Sequence, residues 1–138
     1  MTDDTLRELL HFRLEQAHES LREADVLCAA QANRGAVNRA YYAMFDVARA
    51  YLVTRHGITT EAIKTHSGLL SAFSRLGVKQ DGLDADLGRW LNQAGEVRAS
   101  ADYDSRSVDA ATAAILLANM DRFVATLENE LGAKGEQE

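Results

Sequence analysis

Apolar side chains recur at Leu10, Leu14, Ala17, Leu21, Ala24 and Cys28. Steps that alternate between four and three keep them on one stripe of an α-helix. "TDDT" ahead of the stripe offers N-cap side chains, and acids that suit the positive end of a helix. The pattern predicts a first helix over residues 3–31, stopped within "ANRG" at Gly35. The next stretch, "AVNRAYYAMFDVARAYLVTRHG", is apolar around most of its circumference. Such a helix belongs in the middle of a fold, with neighbours on several sides. Gly57 ends it, and Arg55 and His56 suit the negative end of its dipole.

"ITTEAIKT" reads as a loop or short turn, "HSGLLSAFSRLG" as a short third helix closed by Gly77, and "VKQDG" as a connector. Leu83, Leu87, Trp90, Leu91, Ala94 and Val97 mark the apolar side of a fourth helix, from about Leu83 to Ala101. "DYDSRS" separates it from a fifth helix, for which Ser107 is the candidate cap. Leu117, Met120, Val124, Leu127 and Leu131 form a second long stripe that can pack against the first. No strand-like alternation of useful length and no internal repeat interrupts this series. The prediction is an all-α, up-and-down bundle of four main helices plus one short one. It is a single domain over residues 1–138, with its core at about 5–130 and a frayed tail at 132–138.

Composition strengthens the helical reading. The 138 residues contain no proline, the residue that most often interrupts helices. Cys28 is the only cysteine, so neither an internal disulfide nor a multi-cysteine metal site is available. No apolar run approaches the roughly 18 residues of a membrane span. The acidic, amphipathic start lacks the basic flank and apolar centre of a signal peptide. A cytoplasmic protein is expected. No Gly-rich phosphate loop, defensible Ser-His-Asp order or sensibly spaced Cys-His pair appears, so no cofactor is expected.

Charge is unevenly distributed. The net charge of −6 argues against general affinity for nucleic acid. Residues 1–30 carry −4, residues 31–80 carry +5 and residues 81–138 carry −7. The basic middle either serves an anionic ligand or pairs with acidic segments of its own fold or of a partner.

Several polar groups are candidates for chemistry. His11, Glu15 and His18 share a helix face, but no second Glu-x-x-His pair completes a di-metal set, so a solvated face is expected. Arg34, Arg39, Asp46 and Arg49 punctuate the apolar second helix, where charges are costly unless paired or at an edge. Asp46 can reach Arg49, whereas Arg39 and Asp46 are two turns apart. Either internal pairing or a binding role fits them. Tyr41, Tyr42 and Phe45 read as core, with a tyrosine hydroxyl at a cleft edge as the alternative. His66 in "KTHSG" can cap, bond a carbonyl or carry a proton. Arg98 and Asp102 share a face four residues apart. Asp102, Tyr103 and Asp104 lie near a helix C-terminus, where acids oppose the dipole. Either a salt bridge or a functional constraint explains them.

Three stretches together resemble the HEPN domain family: "NRAYYAMFDVARAYL" at 38–52, "KTHSGLLSAF" at 64–73 and "LNQAGEVRASADYD" at 91–104. They are most similar to its small stand-alone branch in bacteria and archaea. The resemblance covers roughly residues 5–130. It implies a helical bundle, a two-fold homodimer and a toxin-like role. In active members an Arg-x(4–6)-His motif from each subunit cleaves RNA without metal at the dimer interface. A minimal nucleotidyltransferase antitoxin often accompanies such proteins and adenylylates a tyrosine near the histidine. Arg98 matches the motif arginine, but Asp102 and Tyr103 stand where the histidine is expected. His66 lies in a block shared across the branch and is the candidate for the missing proton carrier. The resemblance thus implies catalytic candidates Arg98, Asp102, Tyr103 and His66; the residues of the second helix themselves supply the binding candidates Arg39, Asp46 and Tyr42. RNA cleavage or RNA binding is the first expectation. A non-catalytic module for a nucleotide or a nucleotidyltransferase partner is the second.

Overall fold

The computed structural model describes residues 3–103 and 108–135. Five α-helices follow in chain order among them: α1 (Asp3–Ala29), α2 (Asn33–His56), α3 (His66–Ala72), α4 (Ala85–Tyr103) and α5 (Ala110–Gly135). A 3-10 turn at Thr60–Ile63 precedes α3, and a π-helical stretch at Phe73–Gln80 continues it. This is the all-α bundle predicted, with α3 as the short member.

The nearly all-round apolar surface of α2 determines the packing. Its buried residues include Val37, Met44, Val47, Tyr51 and Leu52, and it packs against α1, α5, α4 and α3. Phe123 of α5 meets Phe73 with ring centroids 5.5 Å apart, and Phe73 meets Tyr51 edge-on at 6.1 Å. Burying each such side chain contributes about 1.5–3 kcal/mol. Ala110–Gly132 of α5 is long and apolar enough to cross a membrane by length and composition. In this fold its Leu116, Met120, Phe123 and Leu127 join the shared core.

Several predicted boundaries move, each for a local reason. The first helix ends at Ala29 rather than at 31, and Gln31, not Gly35, adopts the left-handed conformation at φ 62°. Its N–H donates to the Cys28 carbonyl at 3.0 Å and the Ala32 N–H to that of Leu27 at 2.8 Å, the paired bonds of a Schellman end. Gly35 instead lies in the first turn of α2, where an added Cβ would be 3.2 Å from Leu27 Cδ1. It permits close approach of α1 and α2.

Gly77 does not close the third helix either. The Asp81 N–H donates to the Leu76 carbonyl at 2.9 Å, a five-residue step, and the chain turns at Gly82 with φ 79°. What reads as a connector is therefore mostly helical. Asp84 heads α4 by accepting from the Asp86 N–H at 2.9 Å. α4 runs to Tyr103 rather than Ala101. Asp109 heads α5 by accepting from the Thr112 N–H at 2.7 Å; Ser107, the cap expected from sequence, lies outside the described residues. α5 carries through 132, the expected start of the tail, to Gly135.

A polar latch closes the C-terminal end of α2. Asp81 Oδ2 accepts from the Tyr51 hydroxyl at 2.5 Å and lies 2.7 Å from His56 Nε2. Arg55 donates to the Glu130 carbonyl at 2.5 Å, tying the same end to α5. Burial alone raises the Asp81 carboxyl. The bonds from Tyr51 and His56 and the charges of His56 and Arg55 outweigh it and hold the group below the ordinary carboxylate value.

Candidate functional site

At the other end of α2, side chains from α2, α3 and α4 meet around Arg98. Its Nε donates to Asn38 Oδ1 at 3.2 Å and one terminal nitrogen donates to the Tyr42 hydroxyl at 3.1 Å. The guanidinium carbon lies 5.1 Å from the Tyr41 ring centroid and 5.2 Å from that of Tyr42. Cation–π attraction and two oriented hydrogen bonds hold the planar group to α2. Asn38 and Tyr42 are four residues apart on that helix, which puts both on the side facing α4.

His66 enters from the start of α3. Thr65 caps that helix, accepting from the Gly68 N–H at 3.0 Å. The imidazole rests on α4 at Gly95, where an added Cβ would fall within 2.8 Å of three ring atoms. Its Nδ1 lies 3.0 Å from the Tyr41 hydroxyl, and Asn92 forms a second hydrogen bond with the ring. Asn92 Nδ2 in turn donates to Glu96 Oε1 at 3.2 Å. Tyr41 is 2% exposed and Tyr42 37%. One phenol is thus buried between Arg98 and His66, while the other stands at the surface beside the guanidinium.

The local electrostatics give each group a defined state. Burial is the main force pushing the Tyr41 hydroxyl up to about 12; Arg98 opposes this and Tyr42 adds to it. The hydroxyl therefore keeps its proton near neutral pH. Burial, followed by the Arg98 charge, lowers the His66 pKa from its ordinary value, against the Asn92 hydrogen bond and the Glu96 charge. His66 is thus a neutral imidazole at neutral pH, with the Tyr41 hydroxyl available as donor to Nδ1.

The structure therefore brings together Arg98, His66 and Tyr42. The side chains of Asp102 and Tyr103 lie outside the described residues. Arg39 and Asp46 belong to another seam. Arg39 lies 3.7 Å from Glu23 of α1, beside an open cavity of about 420 Å³. Burial raises the Asp46 pKa, while Arg49 and Arg13 of α1 pull it down. Arg49 also rests over the Phe45 ring at 5.5 Å. His11 pairs with Glu15 at 2.8 Å on an exposed face, and His18 pairs with Glu128 of α5. No group of three or more metal-ligating side chains occurs among the described residues.

Asn38, Asn92 and Gly95 fall within the quoted stretches at 38–52 and 91–104, but nothing in their residue types gives them a role. The available signal was a row at three-residue steps on α4: Arg89, Asn92, Gly95 and Arg98. Such a row forms one surface ridge of a helix. Gly95 is the notch in it that receives His66.

The family description "HEPN domain" matches residues 10–130. A candidate toxin of Methanocaldococcus jannaschii is 36% identical over 67% of this chain and 60% of its own length. The chain therefore spans less than two thirds of that relative. A second candidate toxin of the same archaeon is 29% identical over 91% of each chain. A UPF0332 protein of Thermotoga maritima is 33% identical over 70% of each chain.

Proposed function

The chain belongs to the HEPN family, and from that premise we propose that it is a toxin-like protein whose Arg98 cluster engages the phosphodiester backbone of RNA. One observation carries the reading. A guanidinium held by Asn38 and Tyr42 is joined through Tyr41 to a neutral histidine, although no histidine follows Arg98 in sequence. Arginine stabilises charge that develops on phosphate, and neutral imidazole accepts a proton. In cleavage, the ribose 2′ oxygen bonds to the adjacent phosphorus and the bond to the 5′ oxygen breaks. The 2′ proton passes to the His66 imidazole, whose ring the buried Tyr41 hydroxyl positions. The imidazolium so formed gives a proton to the departing 5′ oxygen. A two-fold pair of chains would bring two Arg98 clusters to one RNA.

The test is expression of the chain alone, followed by a growth measurement and incubation of the purified protein with RNA in chelator. Growth arrest and RNA cleavage are expected, both lost in Arg98→Ala, with cleavage lost in His66→Ala and Tyr41→Phe. Cleavage retained in His66→Ala would falsify its assignment as proton acceptor. The net charge of −6 favours a second reading, a non-catalytic module that binds a nucleotide or a nucleotidyltransferase partner. Absence of cleavage and arrest, with a stable complex to such a partner, would select it. The cytoplasm is the compartment proposed for either role.

A further inference from the structure

The ridge that ends at Arg98 opens, at its other end, into a depression of about 380 Å³ lined by Arg89, Trp90, Asn92 and Gln93. Its volume is within the range of small-ligand sites, roughly 300–1,000 Å³. It adjoins the cluster described above, because Asn92 both lines it and hydrogen-bonds to His66. From Trp90 to Arg98 is eight residues of helix, about 12 Å.

The lining chemistry is specific. Trp90 packs one part of its indole against the core and presents another to the depression. Gln93 is exposed, and a primary amide offers both a donor pair and an acceptor. Arg89 is paired with Asp86, so its charge is already partly answered. An aromatic face with amide groups and little unanswered positive charge suits a heterocyclic base better than a phosphate. The Arg98 end offers the opposite. We propose that this depression is a nucleobase subsite for single-stranded RNA, seating a base near the phosphate engaged at Arg98. The inference rests on the RNA reading of the Arg98 cluster and extends it along α4.

Trp90 is the only tryptophan in the chain, so its emission reports on the site without a label. The full chain is titrated with a fluorescently tagged single-stranded oligouridylate, and binding is followed independently by anisotropy. An untagged oligouridylate, an RNA duplex of equal length and inorganic phosphate are then compared by Trp90 emission. The single strand should change the emission over the concentration range in which it binds, whereas phosphate and duplex should not. Stacking on an aromatic side chain predicts a roughly 5- to 150-fold (about 1–3 kcal/mol) loss of affinity in Trp90→Leu. Gln93→Ala, at an exposed position, should weaken binding without affecting the fold and covers the case in which the leucine variant is unstable. Binding of the single strand with unchanged emission and no effect of Gln93→Ala overturns the subsite and leaves the Arg98 reading standing. Equal emission changes with duplex also overturn it. No anisotropy change at all removes both.

Discussion

His66 is the residue on which the candidate chemistry turns, and its protonation is measurable without knowing the substrate. Its folded pKa is lowered, by burial first and by Arg98 second. A proton NMR titration should place its midpoint below the ordinary histidine value of about 6.5. Arg98→Gln should move that midpoint upward, since it removes one of the two depressing influences. Between the folded and unfolded values the unfolded chain binds more protons. The stability contributed by neutral His66 is therefore present above about pH 6.5 and is lost as pH falls through the folded value. A midpoint at or above the ordinary value would contradict the burial described. Gly95 supplies a second test. A methyl there meets the imidazole face, so Gly95→Ala should cost about 1–3 kcal/mol in denaturant unfolding. It should also disturb the His66 ring signals. Arg98, His66 and Tyr42 were legible in sequence because their types carry chemistry. Asn38, Asn92 and Gly95 were not, because their importance lies in contacts across helices that no single periodicity records.

The helices are legible where burial is periodic and misplaced where a glycine serves close packing rather than a turn. α1, α2 and α5 follow their apolar stripes, and Gly57 ends α2 with φ 62° as expected. Gly35 and Gly77 mislead because glycine also serves close packing: Leu27 and Leu83 stand 3.2 Å from where their Cβ atoms would be. The left-handed position fell instead on Gln31. A non-glycine residue there is strained by about 1–2 kcal/mol, partly offset by glycine's greater freedom in the unfolded chain. Gln31→Gly should therefore raise stability by up to about 1 kcal/mol, read from the urea midpoint. The π-helical stretch leaves no periodic mark in the sequence, and the residue that follows it, Asp81, is anchored across the fold on Tyr51 and His56. Asp81→Ala leaves the buried Tyr51 hydroxyl without its acceptor and should cost about 1–3 kcal/mol near neutral pH. The folded Asp81 pKa is lowered. Its contribution is therefore present above the unfolded value of about 3.9 and fades as pH falls through the folded one. Unfolding curves of the two proteins should converge in strong acid; a constant gap would mean that packing, not the carboxylate, supplies the difference.

Across the whole molecule, part of the basic middle segment is answered by the acidic helices on either side. Arg39 meets Glu23 of α1 at 3.7 Å and Arg55 meets Glu130 of α5 at 3.9 Å. Asp46 interacts with Arg49 of its own helix and Arg13 of α1. These pairings favour charge compensation within the fold over a broad basic surface. Among the described residues the most exposed large apolar side chains, Phe12, Val26 and Ile115, stand on α1 and α5, while the exposed Tyr42 adjoins Arg98. The protein carries a net charge of −6, so the RNA engagement proposed above would place its electrostatic hold at the Arg98 cluster. That arrangement sets the salt dependence of binding. Each phosphate neutralised on a single strand contributes a slope of about −0.7 to the log–log plot of affinity against salt. One Arg98 contact predicts about −0.7, and a two-fold pair of chains engaging one RNA predicts about −1.4. Anisotropy titrations of single-stranded RNA across a series of salt concentrations measure the slope directly. Arg98→Ala should bring it close to zero while any stacking at Trp90 persists. A slope steeper than about −3 would require a wider basic footprint and shift the phosphate contacts away from Arg98.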